Sequence, residues 1–240
     1  MDQGFVHVSV TNPDAGENTG RDNELWQQCW RDRDDTDFHQ KTVNTSLIRF
    51  WPSLGLEPGD RIFVPLCGKS LDLLWLARQG HPVVGVELSP IAVRAFFKEN
   101  RMQPVRRKQG KFTLWQSGHI DILCGDLFDL VASDLGNIAA VFDRASLTAL
   151  PEEIRHAYLA QLRKIIPLAS KILLLTTEEP EADETQGQPF AIADEITGLY
   201  ARAFDIDLSH VESIFEADAD PAIKERVRVE HKVYLLTPKG

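Results

Sequence analysis

Residues 61–90 read RIFVPLCGKSLDLLWLARQGHPVVGVELSP, and their grammar decides the fold. Arg61-Ile62-Phe63-Val64-Pro65 is a short apolar run of strand length, followed by a Gly-containing turn. A helix is expected from about Ser70 to Gln79, with Gly80 as its stop. Val83-Val84-Gly85-Val86-Glu87 is the next strand. Ser89 then caps a helix that ends near Asn100, and Pro90 occupies the first turn, where its missing N–H costs little. Strand, helix, strand, helix is the pattern of βαβ units and a parallel sheet.

Downstream, Phe112–Gln116 and Ile120–Cys124 flank Ser117-Gly118 and suggest a hairpin. Ile138–Phe142 is a further strand, Pro151 opens a helix to about Ile165, and Lys171–Thr177 is strongly β-prone. An acidic, Pro-containing loop covers 178–189, and a helix spans roughly Ala193–Ala203. Two long strands, about Asp207–Glu216 and Val229–Leu236, finish the chain as an antiparallel hairpin. Upstream, residues 1–22 are polar and read as a mobile arm. Leu25, Trp26, Cys29 and Trp30 recur at helical spacing, and the helix fails at the acidic run 32–37. A second helix covers Asn44–Trp51 and stops before Pro52. The expected architecture is α/β: one Rossmann-like domain over 23–240, with 23–55 as a helical cap over the ligand-binding edge.

Composition agrees with one soluble core. The chain has 240 residues, 43% hydrophobic and 26% charged, with a formal charge of −10. That balance gives no global footprint for nucleic acid. The basic cluster Arg101, Arg106, Arg107, Lys108 and Lys111 reads as a solvated surface stretch. No apolar run approaches the roughly 20 residues of a membrane span, and the first residues lack the pattern of a secretory signal. Three cysteines without a CxxC pairing and seven scattered histidines without HExxH argue against a metal centre. A reduced, cytoplasmic monomer is expected, without nucleic-acid or membrane partners.

In an open α/β sheet, ligands bind beyond the carboxyl ends of the strands. The first such turn is Pro65-Leu66-Cys67-Gly68-Lys69-Ser70. It ends like a P-loop, but the position needing the first Gly is Phe63, so no phosphate cradle forms. It also lacks GxGxxG, which disfavours a dinucleotide. Glu87 lies about 20 residues beyond Gly68, the interval of a carboxylate that grips a ribose diol. Asp126, in Cys124-Gly125-Asp126-Leu127, follows another strand at a point near the base in nucleoside-binding sheets. Nucleoside binding without pyrophosphate suggests S-adenosylmethionine.

Val64-Pro65-Leu66-Cys67-Gly68-Lys69-Ser70, Leu76-Ala77-Arg78-Gln79-Gly80-His81 and Val84-Gly85-Val86-Glu87-Leu88-Ser89 resemble the thiopurine S-methyltransferase family. So do Trp26, Trp30 and Phe38-His39-Gln40 upstream, with Leu127-Phe128-Asp129-Leu130 and Phe142-Asp143-Arg144-Ala145-Ser146-Leu147 downstream. The resemblance covers roughly 24–200 and resumes at Val233-Tyr234-Leu235-Leu236. It implies a class I S-adenosylmethionine-dependent methyltransferase with a seven-stranded, mostly parallel sheet. The substrates it implies are aromatic and heterocyclic thiols such as thiopurines, and S-adenosylhomocysteine is the product. Bacterial members are also associated with selenium and tellurium species.

By the same resemblance, Trp30 and Phe38 close over the cofactor and Leu66 touches it. Glu87 holds the ribose hydroxyls, and Asp126 and Leu127 flank adenine. Arg144 sits near the reacting end, binding cofactor or anionic substrate, and Phe38 lines the substrate side. No residue is assigned as a base. Trp26 reads as packing, His39 as a structural hydrogen-bonding group and Cys67 as packing. Either Arg226 or Arg228 is a candidate second substrate arginine. The competing functions are methylation of small inorganic anions and a non-catalytic S-adenosylmethionine sensor.

Overall fold

Strand β1 (Ile62–Val64) is buried on both faces. Phe63 points to one core, while Ile62 and Val64 point to the other, as the two-residue period of a strand requires. The computed structural model describes residues 23–31, 40–178, 193–217 and 226–240. Around β1, strands β2 (Val83–Glu87), β5 (Ile120–Cys124), β6 (Ala140–Arg144) and β7 (Lys171–Glu178) run parallel. Antiparallel strands β3 (Val105–Gln109) and β4 (Phe112–Ser117) extend one edge, and β8 (Phe204–Ala217) and β9 (Arg226–Pro238) extend the other. The strand order is β3-β4-β5-β2-β1-β6-β7-β9-β8. The chain winds from β1 outward through β2 to β5, then returns to β6 on the other side of β1. The crevice at the carboxyl ends of β1 and β6 is therefore the topological switch point.

Helices α2 (Thr45–Phe50), α3 (Asp72–Arg78) and α4 (Pro90–Glu99) cover one face, contributing Leu47, Leu73, Leu76, Val93 and Phe96 to its core. Helices α5 (Ala132–Leu135), α7 (Glu152–Ile165) and α8 (Asp194–Tyr200) cover the other, with Leu135, Tyr158, Leu162, Ile196 and Tyr200. The short α6 (Ser146–Ala149) follows β6 directly, and α1 (Asn23–Arg31) carries Trp30. Ser89 caps α4 as its sequence predicts, accepting from the Ala92 N–H. No helix among the described residues is long and apolar enough to cross a membrane.

Two expectations need correction. Among the described residues the sheet has nine strands, not seven. The strand that the sequence hides altogether is β3, which coincides with the basic cluster and is exposed along nearly its whole length. An edge strand with no buried face has no apolar alternation to betray it. The cap expected over 23–55 also divides. Trp51 and Leu54, in a one-turn 3-10 helix after α2, are buried in the face core rather than over the edge. Trp51 Nε1 donates to His81 Nε2 at 3.2 Å, and Lys171 Nζ donates to the Leu54 carbonyl at 2.6 Å. Residues 45–54 thus run down the sheet face from its carboxyl to its amino end. The aromatic and aliphatic side chains there find more burial against the sheet than an exposed lid offers.

Candidate functional site

Glu87 ends β2, and its side chain is held by backbone amides of the turns that follow β1 and β2. Oε2 accepts from the Gly68 N–H at 2.9 Å and Oε1 from the Ser89 N–H at 2.7 Å. The carboxylate is buried, and loss of solvent pushes its pKa from 4.5 up to about 7, against the opposing pull of the Ser89 and Gly68 amides. Each carboxylate oxygen can accept about two hydrogen bonds, so each keeps capacity for a ribose hydroxyl. The residues present therefore fit a nucleoside cofactor.

The first turn is shaped for close approach. Leu66 (φ 45°) and Gly68 (φ 54°) both adopt left-handed backbone. For a leucine this conformation costs roughly 1–2 kcal/mol, a strain typical of functional turns. The Trp30 indole covers Gly68, with Cζ2 3.3 Å from where a Cβ would stand. Cys67 lies beneath the turn, its sulfur 2.7 Å from where a side chain on Gly85 would begin. Burial raises the Cys67 thiol well above its usual range, so it packs as a neutral group.

The Gly125 N–H donates to the Glu87 carbonyl at 2.9 Å, which ties the ends of β2 and β5 together. Half-buried Asp126 follows, its Oδ1 accepting from the Phe128 N–H at 2.9 Å. The Leu127 side chain turns into the core, and its carbonyl accepts from Gln161 Nε2 at 3.2 Å.

Arg144 ends β6 across the crevice. It pairs not with its neighbour Asp143 but with Asp72 of α3, Nε to Oδ2 at 3.1 Å. Asp143 points to the other face, where the Tyr158 hydroxyl donates to it at 2.6 Å. Ala145, next in the chain, is, like Leu66, a non-glycine residue at positive φ (63°). Strained turns thus follow both strands that border the switch point.

The structure brings Trp30, Leu66 and Glu87 together around the first turn, joins Asp126 to them through Gly125, and sets Arg144 opposite. Phe38, His39 and the side chains of Trp26, Arg226 and Arg228 lie outside the described residues. Sequence reasoning missed Asp72 and Tyr158. An acidic residue in a helix's first turn reads as a complement to the helix dipole, and a tyrosine in an amphipathic helix reads as core; neither carries a local signal. Among the described residues no group of three His, Cys, Asp or Glu is arranged to hold a metal. A cleft of about 300 Å³ at the sheet's other end is bordered by Arg61 and Asp121, which already pair at 2.9 Å.

Comparison with known proteins fits this geometry. A family model described as Thiopurine S-methyltransferase (TPMT) matches residues 21–239. A thiopurine S-methyltransferase of Stutzerimonas stutzeri is 54% identical over 92% of this chain and 93% of its own length. One of Nitrosospira multiformis is 45% identical over 89% and 96%. Among solved structures, a SAM-dependent methyltransferase from Anabaena variabilis superposes with a TM-score of 0.61 at 16% identity, covering 96% of this chain and 98% of that one. A 1,6-didemethyltoxoflavin N1-methyltransferase from Burkholderia thailandensis gives 0.58 at 14% identity, covering 95% and 93%. The fold is that of class I methyltransferases and S-adenosylmethionine is the cofactor. With the family model spanning nearly the whole sequence and more than half of the aligned residues identical to the first of these relatives, the chain belongs to the thiopurine S-methyltransferase family.

Proposed function

We propose that the protein methylates the sulfur of heteroaromatic thiols such as thiopurines, and that Arg144 favours the thiolate form of the acceptor. One observation carries this reading. Arg144 is largely buried at the carboxyl end of β6, yet among the described residues only its Nε is engaged, by Asp72. Its terminal N–H groups have no hydrogen-bond partner among the described residues, so the guanidinium has donors left for an anion. The names of the relatives point to the same acceptor class.

Bound S-adenosylmethionine supplies an electrophilic methyl group on a sulfonium. The chain's own part is to bind, orient and dry the reactants. Glu87 accepts from the ribose hydroxyls, and Trp30 on α1, with Phe38 after it, closes the N-terminal side. Leu66 presents its strained backbone to the cofactor. Asp126 and the backbone of Leu127 border the adenine, and Phe38 borders the acceptor. Excluding water favours a reaction in which opposite charges approach and cancel. Alignment of thiolate and methyl lowers the barrier further. Positive charge at Arg144 lowers the pKa of a nearby thiol and holds it ionised, so no general base is required.

The test is methyl transfer from labelled S-adenosylmethionine to 6-mercaptopurine and a series of aromatic thiols of graded acidity, in wild type and Arg144→Ala. Turnover is expected on the thiopurine. The variant should lose most on thiols that stay protonated at the assay pH. An equal loss across the series would refute the role given to Arg144, and no transfer to any thiol would refute the acceptor class.

A further inference from the structure

We propose that Asp72 is a positioning residue for methyl transfer, aiming Arg144 by gripping its Nε and linking it to the start of α2. The inference rests on the reading of Arg144 above and adds a residue that acts through it.

Asp72 is 1% exposed, although it stands in the first turn of a helix, where an acidic side chain is at home in water. A carboxylate is buried at a cost unless it is fully partnered. Both of its oxygens are used. Oδ2 accepts from Arg144 Nε at 3.1 Å, and Oδ1 accepts from the Asn44 backbone N–H at 2.8 Å. Its own N–H donates to Ser70 Oγ at 3.1 Å, which fixes the carboxylate to the turn that carries Gly68. Arginine offers five N–H donors in a rigid plane. Gripping it at Nε fixes that plane from the side and presents both terminal nitrogens together, as an anion in the crevice needs.

The second oxygen extends the link. Asn44 caps α2, its Oδ1 accepting from the Ser46 and Leu47 N–H groups, and its Nδ2 donates to Gln40 Oε1 at 3.2 Å. Gln40 follows Phe38 and His39 directly in the chain. One carboxylate therefore joins the segment entering α2 to the guanidinium on β6, elements separated by 72 residues between Asp72 and Arg144 and 28 between Asn44 and Asp72. Asparagine in its place has one acceptor oxygen where the carboxylate has two, so it can hold Asn44 or Arg144 but not both.

The test is a double-mutant cycle on kcat and KM for 6-mercaptopurine, using wild type, Asp72→Asn, Arg144→Ala and the double variant. Asp72→Asn should reduce kcat/KM about 10–100-fold, the scale of a misplaced reacting or orienting group. In the Arg144→Ala background the same change should cost less than about threefold, as coupled residues require. Equal losses in both backgrounds would overturn the positioning role and leave Asp72 a packing residue. If Arg144→Ala alone leaves turnover intact, the reading of Arg144 has failed instead. A measurement on the unmutated protein covers the case in which Asp72→Asn does not fold. The Arg144 Nε–H resonance in ¹⁵N-labelled wild type, assigned by its disappearance in Arg144→Lys, should exchange slowly with solvent. Exchange as fast as that of exposed arginines would also overturn the proposal.

Discussion

The Tyr158 hydroxyl donates to Asp143 Oδ2 at 2.6 Å, with both side chains fully buried, immediately before Arg144 in the chain. Loss of solvent raises the Asp143 carboxyl pKa, and the bond from Tyr158 opposes that rise by favouring the ionised form. Burial likewise pushes the Tyr158 hydroxyl well above its usual range, so it remains a donor. Tyr158→Phe should therefore cost about 1–3 kcal/mol of stability, the penalty for an orphaned buried acceptor. The loss should be larger in alkaline than in mildly acidic buffer, because only the ionised carboxylate misses its donor. Urea unfolding at the two pH values checks this; equal losses would mean that Asp143 keeps one protonation state across that range.

Glu87 sets a pH dependence of opposite consequence for the apoprotein and the complex. Its pKa rises on folding from 4.5 to about 7, so the native state binds this proton more tightly than the unfolded chain. The stabilisation is fully present below 4.5 and is lost as pH rises through about 7. Its magnitude is of the order of 3 kcal/mol. Glu87→Gln should flatten this slope in denaturant titrations of the apoprotein. Cofactor affinity should show the reverse trend, rising between about pH 6 and about pH 8 as the stronger, ionised acceptor forms. Calorimetric titration checks it, and a flat profile would separate Glu87 from the ribose.

Gly125 leaves no room for a side chain, since a Cβ there would lie 2.5 Å from the Phe112 ring. Gly125→Ala should destabilise the fold by about 1–3 kcal/mol through overpacking. It should also weaken cofactor binding, because the Gly125 N–H bonds to Glu87 and Asp126 comes next. Adding Phe112→Leu should recover part of both losses in thermal melts and titrations. No recovery would place the strain elsewhere.

Lys232 is 3% exposed and lies 3.0 Å from Glu178 Oε2 and 3.5 Å from Glu230 Oε2, at the carboxyl end of β7. Lys232→Met should destabilise by about 3–5 kcal/mol, because it strands buried carboxylates rather than merely deleting an attraction. Glu230→Gln in that background should restore part of the loss in equilibrium unfolding. If the double variant is less stable than the single, the lysine is not the group that compensates Glu230.

Most of the frame was legible in residue order because each element announced itself locally. Ser89-Pro90 marked the start of α4, Gly80 the end of the preceding helical segment, and Ser117-Gly118 the turn between β4 and β5. Boundaries drifted where no punctuation stood: the strand expected at Ile138–Phe142 lies at Ala140–Arg144, and the terminal strands run longer than their apolar cores. The hidden strand β3 shows the converse, for its structure comes from pairing with β4 and not from its own pattern.

The candidate site divides the same way. The turn 65–70, Glu87 and Asp126 could be named from the chain as positions just beyond or at the end of an expected strand, since the ends of parallel strands gather at one edge, whereas Arg144 came from the family resemblance. What those groups do to one another was settled by the tertiary structure. Only folding puts Arg144 on Asp72 and Asp143 on Tyr158, lays Trp30 over Gly68, and strips away the water whose loss lifts the Glu87 pKa to about 7. The physical reason is range. Periodicity, caps and turn chemistry act over a few residues, whereas burial and charge pairing depend on neighbours brought together from distant parts of the chain.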